Sequence, residues 1–158
     1  MIEEVIAACD ARGLRSGESF TASLLAEAYL LAGRLQEARR YAADATRTAA
    51  ERNEPGFKAN AYWVSGLIEL QSGAGARESA RCFLSDALAI VRERAMRPLE
   101  AKVQLALGQL ERNTGARELA AQHLAAAHAT AQKLSMPYWS ARIDEELQVL
   151  AMAGERGV

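Results

Sequence analysis

LLAEAYLLAGRLQEA, residues 24 to 38, decides how the chain is read. Leu24, Leu25, Ala28 and Leu31 recur at three- and four-residue spacing, with Phe20 one turn ahead. Residues 18 to 31 (ESFTASLLAEAYLL) are therefore predicted to form an amphipathic helix. Gly33 stops it as the residue just beyond the C-terminus, where glycine accepts a left-handed backbone. Leu35 and Ala38 open a second stripe, continued by Ala42, Ala45 and Ala49 over residues 35 to 53. That stripe is small enough for a neighbouring backbone to approach closely. Two helices joined at one glycine make a hairpin.

The hairpin recurs along the chain. Gly33, Gly73, Gly115 and Gly154 are separated by 40, 42 and 39 residues, and Pro55, Pro98 and Pro137 by 43 and 39. A small residue stands seven positions before each of the first three glycines, at Ala26, Gly66 and Gly108. Each proline lies at or just ahead of the first turn of a helix, where its missing N–H costs nothing. These series divide the chain into repeats at 18–53, 56–94 and 98–135, with a terminal helix at 137–152. The second and third repeats split into helices at 56 to 72 and 76 to 94, then 98 to 114 and 117 to 135. Residues 2 to 12 are predicted as a trailing helix whose leading partner is missing. A period of this size indicates stacked units that cannot bury their apolar faces alone. The expectation is one all-α domain over residues 1–158, a solenoid of seven to eight helices in antiparallel pairs.

Composition agrees. Hydrophobic residues make up 50% of the 158 and aromatics only 6%, the difference being filled by 34 alanines, which favour closely packed helices. With 19 basic and 20 acidic residues the net charge is -1, so no electrostatic surplus exists to hold nucleic acid or an anionic membrane surface. Sixteen of the basic residues are arginine, which we read as the coding bias of a GC-rich bacterium. Cys9 and Cys82 are far apart and form no CxxC pair, and the N-terminal segment with Glu3 and Glu4 lacks a basic leader. A reduced, cytoplasmic protein is the expectation. No apolar run approaches the roughly 20 residues needed to cross a bilayer.

With the hairpins in place, the chain resembles the tetratricopeptide repeat family. That resemblance rests on Ala26, Tyr29, Gly33, Ala38 and Ala45 in the first unit, and on Gly66, Gly73, Ala80 and Ala87 in the second. In the third it rests on Gly108, Gly115, Ala120 and Ala127. Leu84 and Leu124 stand where the family has a large residue, whereas Ala42 is smaller, and Glu69 and Glu111 replace the aromatic represented by Tyr29. The units are about six residues longer than the family's usual 34. Together with LLAEAYLLAGRLQEA, CFLSDALAI (82 to 90) and MRPLEAKVQLALGQL (96 to 110), this length is similar to repeats of large bacterial signalling and transcription regulators with ATPase or cyclase modules. The resemblance implies a right-handed solenoid with leading helices lining a concave groove and trailing helices forming the back. No ATPase or cyclase motif is present.

On that reading the groove is lined by Phe20, Ser23, Glu27 and Leu30 from the first leading helix and by Asn60, Trp63, Leu67 and Gln71 from the second. Lys102, Leu105, Gln109 and Arg112 follow from the third, with Asp144 and Gln148 from the last. Trp63 is the natural anchor for a peptide if exposed, and a core residue if not. Chaperone-binding members of the family hold a C-terminal carboxylate with lysines. Here Ser23, Trp63 and Leu105 occupy those places, so a chaperone-tail receptor is not expected.

Chemistry is poorly supported. His123 and His128 are five residues apart on one helix, about 140° round its axis, and do not converge on a metal. Cys82 sits in an apparent apolar stripe with Phe83 and Ala87 and is read as a small buried hydrophobe. Gly73 and Gly75 lack the lysine of a phosphate loop. Asp144, Glu145 and Glu146 lie early in the last helix, where they suit the dipole. The expected function is non-catalytic: a module binding a peptide or helix of a partner protein, with no cofactor and no metal. The alternative is a structural segment of a larger bacterial regulator that self-associates weakly through its exposed ends, and an enzyme is the minor one.

Overall fold

A computed structural model describes residues 18–155. The predicted helix at residues 2 to 12, with Cys9, lies outside them. Among the described residues there are seven α-helices and no strand. In chain order they are α1 (Glu18–Leu31), α2 (Leu35–Glu51), α3 (Pro55–Gln71), α4 (Arg77–Glu93), α5 (Arg97–Thr114), α6 (Arg117–Lys133) and α7 (Pro137–Glu155). A short 3₁₀ turn, Ala74–Ala76, precedes α4. The pairs α1/α2, α3/α4 and α5/α6 are the predicted hairpins, and in each the two helices touch more extensively than the trailing helix touches the next leading one. Leading helices also touch one another, α1 with α3, α3 with α5 and α5 with α7, whereas the trailing helices α2, α4 and α6 pack chiefly on leading ones. The leading helices therefore form the inner layer of a helical-repeat solenoid.

One closing device ends five of the helices. After α1 and α5, Gly33 (φ 73°) and Gly115 (φ 86°) adopt the left-handed conformation that the glycine series predicts. After α2, α4 and α6 the same role falls to Asn53 (φ 53°), Ala95 (φ 53°) and Ser135 (φ 51°), which the sequence did not announce. In each case the following N–H reaches back to a carbonyl five residues earlier: Arg34 to Tyr29 at 2.9 Å, Glu54 to Ala49 at 2.8 Å, Met96 to Val91 at 2.8 Å. Ala116 to Glu111 and Met136 to Ala131, both at 2.9 Å, complete the set. This bond satisfies a carbonyl that the helix end would otherwise leave open.

Within each hairpin the crossing is set by complementary volumes. An added Cβ at Gly66 would lie 2.5 Å from Leu84 Cγ, and one at Gly108 2.7 Å from Leu124 Cγ. Both leucines are fully buried. In the first hairpin the corresponding positions are Ala26 and Ala42, both buried, so a larger small residue is matched with a smaller large one.

Between hairpins the glutamates that depart from the family pattern find their purpose. Glu69 accepts from Arg39 Nε at 3.0 Å, and buried Glu111 accepts from Arg81, each arginine coming from the preceding trailing helix. Both pairs are thirty residues apart. At the third junction the same two positions are Ala121 and Ala151, so arginine and glutamate are lost together. There Arg117 donates instead to the Leu150 carbonyl at 2.9 Å. Tyr29 stacks on Tyr41 with ring centroids 5.3 Å apart.

One expectation is corrected here. Cys82 is exposed, because the buried stripe of α4 runs through Ala80, Leu84, Ala87 and Val91.

Candidate functional site: the groove of the leading helices

The four leading helices contribute to one cavity of about 310 Å³ on the inner side of the solenoid. Its wall takes Glu27, Leu30 and Leu31 from α1, Trp63, Leu67, Leu70 and Gln71 from α3, Lys102, Leu105, Ala106 and Gln109 from α5, and Tyr138, Trp139 and Arg142 from α7. Three- and four-residue spacing along each helix brings these side chains onto one face.

Curvature brings side chains of α3 and α7 together across α5. Trp63 and Trp139 meet edge to face, their ring centroids 6.2 Å apart. Lys102 Nζ lies 4.9 Å from the Trp63 centroid and 4.8 Å from that of Trp139, within reach of a cation–π interaction with both. Tyr138 extends the aromatic cluster at 5.3 Å from Trp139, and Arg142 donates to the Tyr138 hydroxyl at 3.2 Å.

Eight of the fourteen residues assigned to the groove line it: Glu27, Leu30, Trp63, Leu67, Gln71, Lys102, Leu105 and Gln109. Trp63 does so as a core residue, only 2% exposed, with its Nε1–H buried and unpartnered. It is wall rather than projecting anchor. The other six fall elsewhere, Gln148 being exposed on α7. Ser23 is fully buried, because positions 23, 63 and 105 all turn into the layer between leading helices. Phe20 is exposed at the N-terminal end of α1, where it packs on Phe57 at 5.5 Å, and half-buried Asn60 lies outside the wall. Arg112 is held by Glu146, Nε to Oε2 at 3.0 Å, and Gln109 donates to the same carboxylate at 2.8 Å. Asp144 faces α6, where its carboxylate lies 3.1 Å from His128 Nε2.

Among the wall residues missed, Arg142 has an identifiable cause. The 3₁₀ turn Ala74–Ala76 makes the second unit two residues longer than the others, so the step from α5 to α7 is 40 rather than 42. Counted at 40, Lys102 corresponds to Arg142; counted at 42, it corresponds to Asp144.

The outer side carries two further clefts between trailing helices, floored by the arginine–glutamate pairs. One, of about 350 Å³, includes Arg39, Ser65, Glu69 and Phe83; the next, of about 330 Å³, includes Arg81, Leu107, Glu111 and His123. His123 stands where Phe83 stands one unit earlier, and its Nδ1 lies 2.6 Å from the Oε1 of buried Gln104. Burial holds its pKa below the ordinary 6.5, with Arg92 and Arg81 pushing the same way and Glu111 opposing. A base whose folded pKa is depressed contributes stability above its unfolded value and loses it as the pH falls through the folded one. Acidification from neutral pH to about pH 5 should therefore destabilise the wild type more than His123→Gln, a difference that urea titrations at the two pH values would measure.

No group of three or more metal-ligating side chains occurs among the described residues, and no described helix is long and apolar enough to cross a membrane. Compared with known proteins, the chain matches no family model, no curated protein and no solved structure.

Proposed function

We propose that the chain is a non-catalytic interaction module that holds a peptide segment of a partner protein against its leading helices. The observation that carries this reading is the continuity of the groove: side chains from α1, α3, α5 and α7 share one cavity, with leucines and two tryptophans beside a few polar groups. That mixture of apolar wall and sparse polar handles suits a peptide face. The resemblance to repeats of bacterial regulators supports a cytoplasmic signalling setting. The test is capture of partners from a native extract by wild type, by Leu67→Glu in the groove and by Ala89→Glu on the outer side. Capture lost in Leu67→Glu and kept in Ala89→Glu supports the groove; the reverse pattern, or equal capture by all three, refutes it.

A second reading, self-association through the repeat ends, is favoured by the exposed apolar residues of the first unit. Phe20 is 42% and Leu24 46% exposed, and α7 presents Val149 and Met152 beside Asp144, Glu145 and Gln148. Stacking would therefore bring the N-terminal face against a second copy, end to end or head to tail. Sedimentation across a concentration range should show a weak dimer that Leu24→Glu abolishes. A wild type that stays monomeric at high concentration removes this reading.

A further inference from the structure

Several basic side chains of the solenoid end on carboxylates: Arg39 on Glu69, Arg81 on Glu111, Arg92 and Arg97 on Glu100, Arg112 on Glu146. Lys58, over the Tyr62 ring, does not, and neither do the two cations of the groove. Lys102, half-buried among two indoles, has no carboxylate partner among the described residues, and Arg142 has only the Tyr138 hydroxyl and ring. The one acidic side chain in the wall, Glu27, belongs to α1 at the other end of the row of leading helices. The buried Trp63 Nε1–H adds a donor without an acceptor in the same wall. An ammonium held over aromatic rings and left unpaired is a strong site for an incoming anion, because rings cannot accept its three donors as a carboxylate does. Around it half-buried Leu67 and Leu70, with exposed Leu31, provide apolar surface.

We propose that the groove takes an apolar peptide segment carrying an internal Asp or Glu, whose carboxylate pairs with Lys102 and Arg142 while its apolar neighbours cover the leucines. This rests on the groove being the binding surface. It commits to a side-chain carboxylate, because one ammonium can pair with a single internal acid, whereas fixing the end of a chain calls for further cations at neighbouring repeat positions. Here the groove offers one lysine, and Ser23, Trp63 and Leu105 fill the neighbouring repeat positions as buried residues. The orientation follows from the charges: the acidic end of the segment lies over α5 and α7, and any basic residue lies towards Glu27 on α1.

The experiment is selection from two random peptide libraries displayed on phage, one with the peptide internal to the coat protein and one with a free C-terminus. Selected peptides are then synthesised and titrated against the protein by tryptophan fluorescence. Both tryptophans of the chain line the groove, so emission reports that site directly. The expected winners come from the internal library and carry Asp or Glu among leucine-like residues. Changing that acid to its amide, or Lys102 to Met, should weaken binding at least about tenfold, as loss of a charge-assisted hydrogen bond does. In Lys102→Met the acid and amide peptides should bind nearly alike. Thermal melts of Lys102→Met and of the milder Arg142→Gln separate lost recognition from lost folding. Winners that change tryptophan emission but carry no acid, or that need a free C-terminus, overturn the proposal and leave the groove standing. Winners that leave emission unchanged, or no winners at all, overturn both.

Discussion

Replacing Trp63 with alanine should lower stability by about 3 to 5 kcal/mol, the usual cost of emptying a buried aromatic site. The indole is 2% exposed and is touched from α7 by Trp139 and from α5 by Lys102, so its loss opens a hole where three leading helices meet. Its Nε1–H has no partner, so no hydrogen bond is lost with it and the effect comes from packing and the Lys102 cation–π contact. For a domain of this size the melting temperature should fall by about 10 °C. Trp63→Phe, which keeps a ring against Trp139, should lose much less. A melting curve of Trp63→Ala that overlays the wild type would show that the ring is not packed as described.

Gly66→Leu should be nearly as damaging, at about 3 kcal/mol, the upper end of what overpacking costs. Even one added carbon meets Leu84 at 2.5 Å, and Leu84 is fully buried on every side. The first hairpin indicates the remedy, because Ala26 and Ala42 stand at the corresponding positions. Gly66→Ala and Leu84→Ala should each destabilise alone, the first by collision and the second by cavity. The double variant should be more stable than the sum of the two losses predicts, by about 1 kcal/mol in a double-mutant cycle. Additive losses would mean that the two positions do not share a contact.

Both predictions rest on features that the sequence discloses unevenly. Gly66 and Gly108 could be placed at close crossings from spacing alone, since only a residue without a side chain tolerates a leucine at that distance. Leu84 and Leu124 were legible only through the family resemblance, as positions that take a large residue, and the structure supplies their contact with the glycines. Asn53, Ala95 and Ser135 were not, because a left-handed residue without glycine leaves no compositional mark and its strain is offset by the packed helices around it. More than half of the groove was legible. Glu27, Leu67, Lys102 and Gln109 fall on the inner face by simple helical phase. Ser23 and Trp63 fall one step round, where the close approach of successive leading helices seals them, and that approach depends on curvature, which no single repeat encodes. Arg142 was hidden by two inserted residues in a turn far from it, and Trp139 by its place in the first turn of α7, whose counterparts Leu99 and Phe57 lie outside the groove. Cys82 looked apolar by its neighbours, yet the stripe of α4 keeps to Ala80, Leu84 and Ala87 and leaves it outside.

The claim that one groove crosses all four leading helices, and that ligands enter there, has a direct spectroscopic test. The chain has two tryptophans, so the indole region of a two-dimensional nitrogen–proton NMR spectrum should contain two peaks, Trp63 from α3 and Trp139 from α7. Adding a peptide selected for binding should shift both peaks together, whereas the backbone signals of Phe83 and His123 in the outer clefts should stay in place. If the peptide moves the signals of Phe83 or His123 and leaves both indoles where they were, the binding surface lies on the trailing helices and the account is wrong.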